Sequence, residues 1–232
     1  MISGCSTSDI TDPVFSNGVK TSTYAVFSDG INRGVASDNC GITSVTYQDV
    51  ASGSNPIVVS RTWTLGDAAG NISTCIQQIN VQDTTPPTFT APGPYSFCVE
   101  NVWSADYLTN TLKINPDPDY YLFIKGNTLL DLDPVGNNFS DNCCVINSLV
   151  IHWRLDFTNT PNQTPPPAVL IHPSITGTGQ PSTYGSDIQF PGDGVNFTSV
   201  VHTITYWLVD CNGNSSASYI VNITVKPRPN VK

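Results

Sequence analysis

The sequence predicts an all-β, disulfide-containing chain built as two tandem immunoglobulin-like β-sandwich modules. Three observations predict it. The 232 residues exceed the roughly 100 of one sandwich and suit about two. Helical periodicity is nearly absent, while short runs rich in Val, Ile, Thr and aromatics recur between clusters of Gly, Pro, Asn and Asp. Two stretches also answer one another along the chain, as a duplicated unit would.

The clearest strands are Ile42–Asp49, Ile57–Leu65, Ser73–Val81, Leu149–Phe157, Val200–Val209 and Ala217–Val225. In "RTWTLGD" the period of two puts Arg61, Trp63 and Leu65 on one face and Thr62 and Thr64 on the other. "SDNCG" at Ser37–Gly41 answers "SDNCC" at Ser140–Cys144, and Thr62–Gln82 answers Thr205–Lys226. Each of the longer pair is a strand, a D-x-x-G-N turn and a second strand. In those turns Gly70 and Gly213 can take positive φ, and Asp67, Asn71, Asp210 and Asn214 can bond nearby backbone.

From Cys40 to Asp67 is 27 residues, but from Cys143 to Asp210 is 67. The second module therefore carries an insertion of about 40 residues, placed at 159–196, where Pro, Gly and Thr accumulate. The expected domains are 1–83, a Pro-rich linker at 84–88 stiffened by Pro86 and Pro87, and an enlarged module at 89–232. The first module is expected to lack its first strand, because Cys5 stands almost at Met1 whereas Cys98 lies well past the linker.

A net charge of -9 and a pI near 4.4 argue against nucleic acid as a partner. No stretch approaches the roughly 20 apolar residues of a membrane span, so direct membrane insertion is not expected. Residues 1–20 also lack a signal-peptide pattern, so an export signal is expected outside this stretch. Seven cysteines without metal-ligand spacing read as disulfide partners and place the chain in an oxidising, extracellular compartment. Matching positions favour Cys5–Cys40 and Cys98–Cys143, leaving Cys144–Cys211 and an unassigned Cys75. Cys40–Cys75 is the alternative, since sequence does not determine connectivity.

Oxygen ligands gather at the module ends: Asp38, Asp67, Asn71, Asp83, Asp141, Asp210 and Asn214. They form a candidate Ca²⁺ set, beside the plainer reading as turn residues, and no EF-hand spacing is present. No other cofactor is required. Trp63, Trp153 and Trp207 sit in strands and read as core; Tyr184, in the insertion, is the better ligand-binding candidate. His152, His172 and His202 are scattered, Glu100 is the single Glu, and no nucleophile motif occurs, so the chain is not expected to be an enzyme.

"SDNCGITSVTYQD", "VVSRTWTLGDAAGNISTC" and "INVQDTTPP" resemble the HYR-like and related Ig-like repeats of giant Bacteroidota surface adhesins, including gliding-motility adhesins of the SprB type. "FCVENVWSADY", "INPDPDYYLF", "SDNCCVINS" and "HTITYWLVDCNGN" look like the divergent module towards the C-terminal part of such proteins. The resemblance implies type IX secretion and cell-surface display. It also implies a non-catalytic role in attachment or gliding, with neighbouring Ig-like modules, surface glycans or secretion and anchoring machinery as partners. It further implies that Thr84, in Asp83–Thr85, is an O-glycosylation acceptor. The alternative function is a carbohydrate- or protein-binding accessory module of a secreted hydrolase.

Overall fold

The computed structural model describes residues 1–98, 121–124, 132–162, 168–170, 174–180, 188–191 and 198–226. The chain divides into two compact units, Met1–Thr85 and Pro86–Lys232. Each carries one five-stranded sheet, and the two sheets agree in four of their strands, so the all-β, disulfide-containing class is as the sequence indicates.

In the first unit the strands are β1 (Ile2–Ser3), β2 (Lys20–Ser22), β3 (Ile42–Ser52), β4 (Ile57–Asp67) and β5 (Ile72–Gln82), ordered β1-β5-β4-β3-β2. β2 to β5 pair antiparallel, whereas β1 runs parallel to the end of β5, with Ile2 opposite Val81. Alternation sends Val45, Tyr47 and Asp49 of β3, and Val59, Arg61, Trp63 and Leu65 of β4, to the inner face. The segment between β1 and β3 covers that face. Its short helix α1 (Tyr24–Phe27) is capped by Thr23, whose hydroxyl accepts the Val26 N–H at 3.2 Å. α1 drives Phe27 edge-on against Trp63 at 5.3 Å.

A buried ion pair sits in this core. Arg61 and Asp49 have fully buried side chains, joined Nε to Oδ1 at 2.8 Å and Nη2 to Oδ2 at 2.9 Å. Asp49 Oδ2 also accepts the Ser16 N–H, Arg61 Nη2 donates to the Pro13 carbonyl, and the guanidinium lies 4.7 Å from the Tyr47 ring centre. Burial pushes the Tyr47 phenol up, and Arg61 partly offsets the rise.

The second unit repeats the plan with β6 (Tyr95–Cys98), β8 (Val150–Asp156), β11 (Ile175–Thr178), β13 (Val200–Val209) and β14 (Tyr219–Lys226), ordered β11-β8-β13-β14-β6. β6 is parallel to β14, as β1 is to β5, with Tyr95 opposite Ile223. Trp153, Leu155, Ile204, Tyr206, Leu208, Val221, Ile223 and Val225 form the core, closed over by Phe89, Leu132, Phe139 and Phe190. The expected insertion supplies β9 (Thr160–Asn162), β10 (Ala168–Leu170) and β12 (Ile188–Pro191), and it lends β11 to the edge of the main sheet. β12 pairs with β7 (Tyr121–Ile124).

The strap before β6 lies close against β14. Thr88 and Ser140 exchange two backbone hydrogen bonds at 2.8 and 3.0 Å. Phe89 then lies edge-on against Tyr219 at 4.8 Å between ring centres. At Gly93 (φ 78°) a Cβ would meet Val221 Cγ1 at 2.7 Å, so only glycine lets the backbone approach β14 this closely.

Two disulfide expectations need correction. Cys144–Cys211 forms, with Cα atoms 5.8 Å apart. Cys5 and Cys143 are each oxidised, but Cys40 and Cys75 are exposed free thiols, so neither Cys5–Cys40 nor Cys40–Cys75 exists. Cys98–Cys143 is excluded as well. Cys98 stands opposite Lys226 at one end of the sheet, and Cys143 lies beside the Cys144–Cys211 bridge at the other. The ten residues of β13 separate them, roughly 30 Å, against the roughly 7 Å a disulfide spans. Cys5 and Cys40 are divided in the same way by the 11 residues of β4.

Candidate functional site

The D-x-x-G-N turn has the same geometry in both units. Asp67 Oδ1 accepts the N–H groups of Ala69 and Asn71, and its Oδ2 accepts the Asn71 side-chain amide at 2.7 Å. Asp210 does the same with Asn212 and Asn214. Gly70 and Gly213 take φ of 89° and 90°, as the turn requires. One acid therefore holds three donors in each turn, but Asp67 is half-buried whereas Asp210 is buried, at 5% exposure.

Asp210→Ala is accordingly expected to cost about 2–3 kcal/mol, since three donors lose a charged acceptor out of water. Urea denaturation of the variant checks it, and Asp67→Ala is expected to cost less. The Asn71 side chain, then backbone N–H groups, hold the Asp67 carboxyl below its ordinary 3.8. Its contribution is fully present above that value and is lost as pH falls through the lower folded one.

Around the second turn the carboxylates converge. Asp141, Cys144 and Asp210 bring ligand atoms within 4.8 Å of one another. Asp141 Oδ1 accepts the N–H groups of Cys143 and Cys144, while its buried Oδ2 has no donor among the described residues. The Cys144 sulfur is spent in the bridge to Cys211. Ca²⁺ takes six to eight oxygens, so these two carboxylates by themselves fall short of a cage for it. Asp38 spends Oδ1 on the Cys40 N–H. Asp83 is buried, with its N–H on Asn55 and its Oδ1 on the Thr85 N–H.

Of the other expected residues, Thr84 is exposed and its Oγ1 lies 3.2 Å from Ser3 Oγ. Tyr184 lies outside the described residues. Trp63 and Trp153 are core, but Trp207 is not. Alternation turns Tyr206 inward and Trp207 onto the outer face, half-buried and stacked on His152 at 5.4 Å. His202 is buried, and its Nδ1 accepts the Thr158 N–H at 3.0 Å.

The Asp49–Arg61 pair was missed, although the signal was present. On β3, Asp49 continues the inward alternation of Val45 and Tyr47, opposite Arg61 on the next strand. Comparison with known proteins finds no matching family model and no similar curated protein.

Proposed function

We infer that this chain is a non-catalytic structural and adhesive segment of a secreted bacterial surface adhesin, extending and displaying binding modules for attachment or gliding. The observation that carries the reading is the repetition of one module plan. Two units share the order of four strands, the parallel first strand and the D-x-x-G-N hairpin. A chain selected for reach repeats a self-contained unit, whereas an enzyme elaborates one site. The extracellular disulfide and the acidic, weakly charged composition are consistent with display outside the cell. The test is surface labelling of intact host cells together with deletion of this coding segment. Labelling without lysis and a several-fold loss of attachment are expected. A chain retained inside the cell, or unchanged attachment, would sink the reading.

One observation favours a second reading, a glycan-binding accessory module. The Trp207–His152 stack stands on the outer face of the sheet next to Arg154 and Thr205, where an aromatic ring can meet a sugar face. Glycan-array binding by the intact chain that disappears in Trp207→Ala would establish it in place of the first.

A further inference from the structure

The two "SDNC" turns stand at the same corner of their sheets. In the first unit Asp38 Oδ1 accepts the Cys40 N–H at 2.7 Å, and β3 then begins at Ile42, opposite Asp67. In the second, Asp141 Oδ1 accepts the Cys143 N–H at 2.9 Å, and β8 begins opposite Val209, next to Asp210. Cys40 thus corresponds to Cys143, Gly41 to Cys144 and Ala68 to Cys211.

The cysteines of this corner fall into two classes. Cys144 and Cys211 bond each other, and the first unit has neither, with Gly41 and Ala68 in their places. Two halves of one bridge are present or absent together, because one alone is an unmatched thiol. The turn cysteine does not follow that pair, since the first unit carries Cys40 without it. Cys143 is oxidised, yet no other cysteine of its own unit is open to it: Cys144 and Cys211 are joined, and Cys98 stands at the far end of the sheet. Cys40 is in the same position. Cys5 is at the far end of β4, and Cys75 is on β5 opposite Trp63, whereas Cys40 precedes Ile42, opposite Asp67. Cys75 and Cys40 are therefore roughly 10 Å apart across the sheet and roughly 13 Å along it, against the roughly 7 Å that a disulfide spans.

We propose that the "SDNC" cysteine is a linkage site, and that Cys40 forms a disulfide with a cysteine of a neighbouring module of the same polypeptide. The proposal rests on the reading of the chain as part of a run of modules. Cys40 is exposed and reaches the bond by exchange. Its thiolate attacks one sulfur of a disulfide on an oxidising protein outside the cytoplasm, whose other sulfur leaves as a thiolate and takes up a proton. The neighbouring module's thiolate then attacks Cys40 Sγ, which releases the oxidant as a dithiol and leaves one S–S bond between modules.

The test is made on the full-length protein at the surface of host cells. Free thiols are blocked with iodoacetamide before lysis, and the protein is digested without reduction and mapped by mass. The Cys40 peptide is expected only in a disulfide with a cysteine peptide of another module, and Cys40→Ser should leave that second cysteine open to iodoacetamide. Recovery of Cys40 alkylated, joined to Cys75, capped by glutathione, or joined to a different protein would overturn the proposal. Surface labelling is scored in the same cells. A displayed chain with an alkylated Cys40 sinks this inference alone, whereas a chain retained inside the cell sinks the reading beneath it.

Discussion

Asp49→Ala is expected to unfold the first unit under conditions in which the second remains folded. The substitution leaves the Arg61 guanidinium fully buried, with no counter-charge and with Nε stripped of its acceptor. It also removes the acceptor of the Ser16 N–H. Breaking one side of a buried pair costs about 3–5 kcal/mol, a large share of the roughly 5–15 kcal/mol that holds a domain together. Hydrogen exchange of the β3 and β4 amides in the intact chain is the direct readout, and a rise of roughly 10²–10⁴-fold corresponds to that loss. The double variant Asp49→Leu, Arg61→Met should recover most of it, because two apolar side chains of similar size carry no desolvation cost. Unchanged exchange in Asp49→Ala would show that the guanidinium finds another partner or reaches water.

The second large effect is expected from Cys144→Ser with Cys211→Ser. The bridge closes a loop of 67 residues, and the chain-entropy relation gives about 4 kcal/mol for a loop of that length. That loop contains the insertion, so the bridge confines its Pro- and Gly-rich chain in the unfolded state. By calorimetry, the transition of the second unit should fall by about 10 °C while that of the first stays in place. A shift of a degree or two would mean that the reduced unfolded state is already compact.

The strands were legible because alternation is a local signal. β13 is found where the pattern puts it, and β3, β4 and β14 differ only at their ends. The repeat was legible for the same reason, since a turn acid with three donors needs the same short motif wherever it occurs. Disulfide connectivity was not local. The repeat correctly aligned the cysteines with their strands, but not with each other, because the two in each unit stand at opposite ends of a sheet. Trp207 failed by one residue: Tyr206 took the inner position, and a neighbouring side chain in a strand must then face outward. Asp49 and Arg61 were overlooked singly because charge argues for the surface, and only as a facing pair across a hairpin does it argue for the core. The candidate cation residues were legible as turn formers, whereas the nearness of Asp141 to Asp210 depends on the fold bringing two distant turns together.

The parallel first strands have a mechanical consequence. Each unit is entered along a strand that lies beside the strand by which it is left, pointing the same way. Tension applied through the chain ends would slide those two strands past each other, loading every hydrogen bond between them at once instead of unzipping them one by one. Four residue pairs share that load between β6 and β14, but only two between β1 and β5.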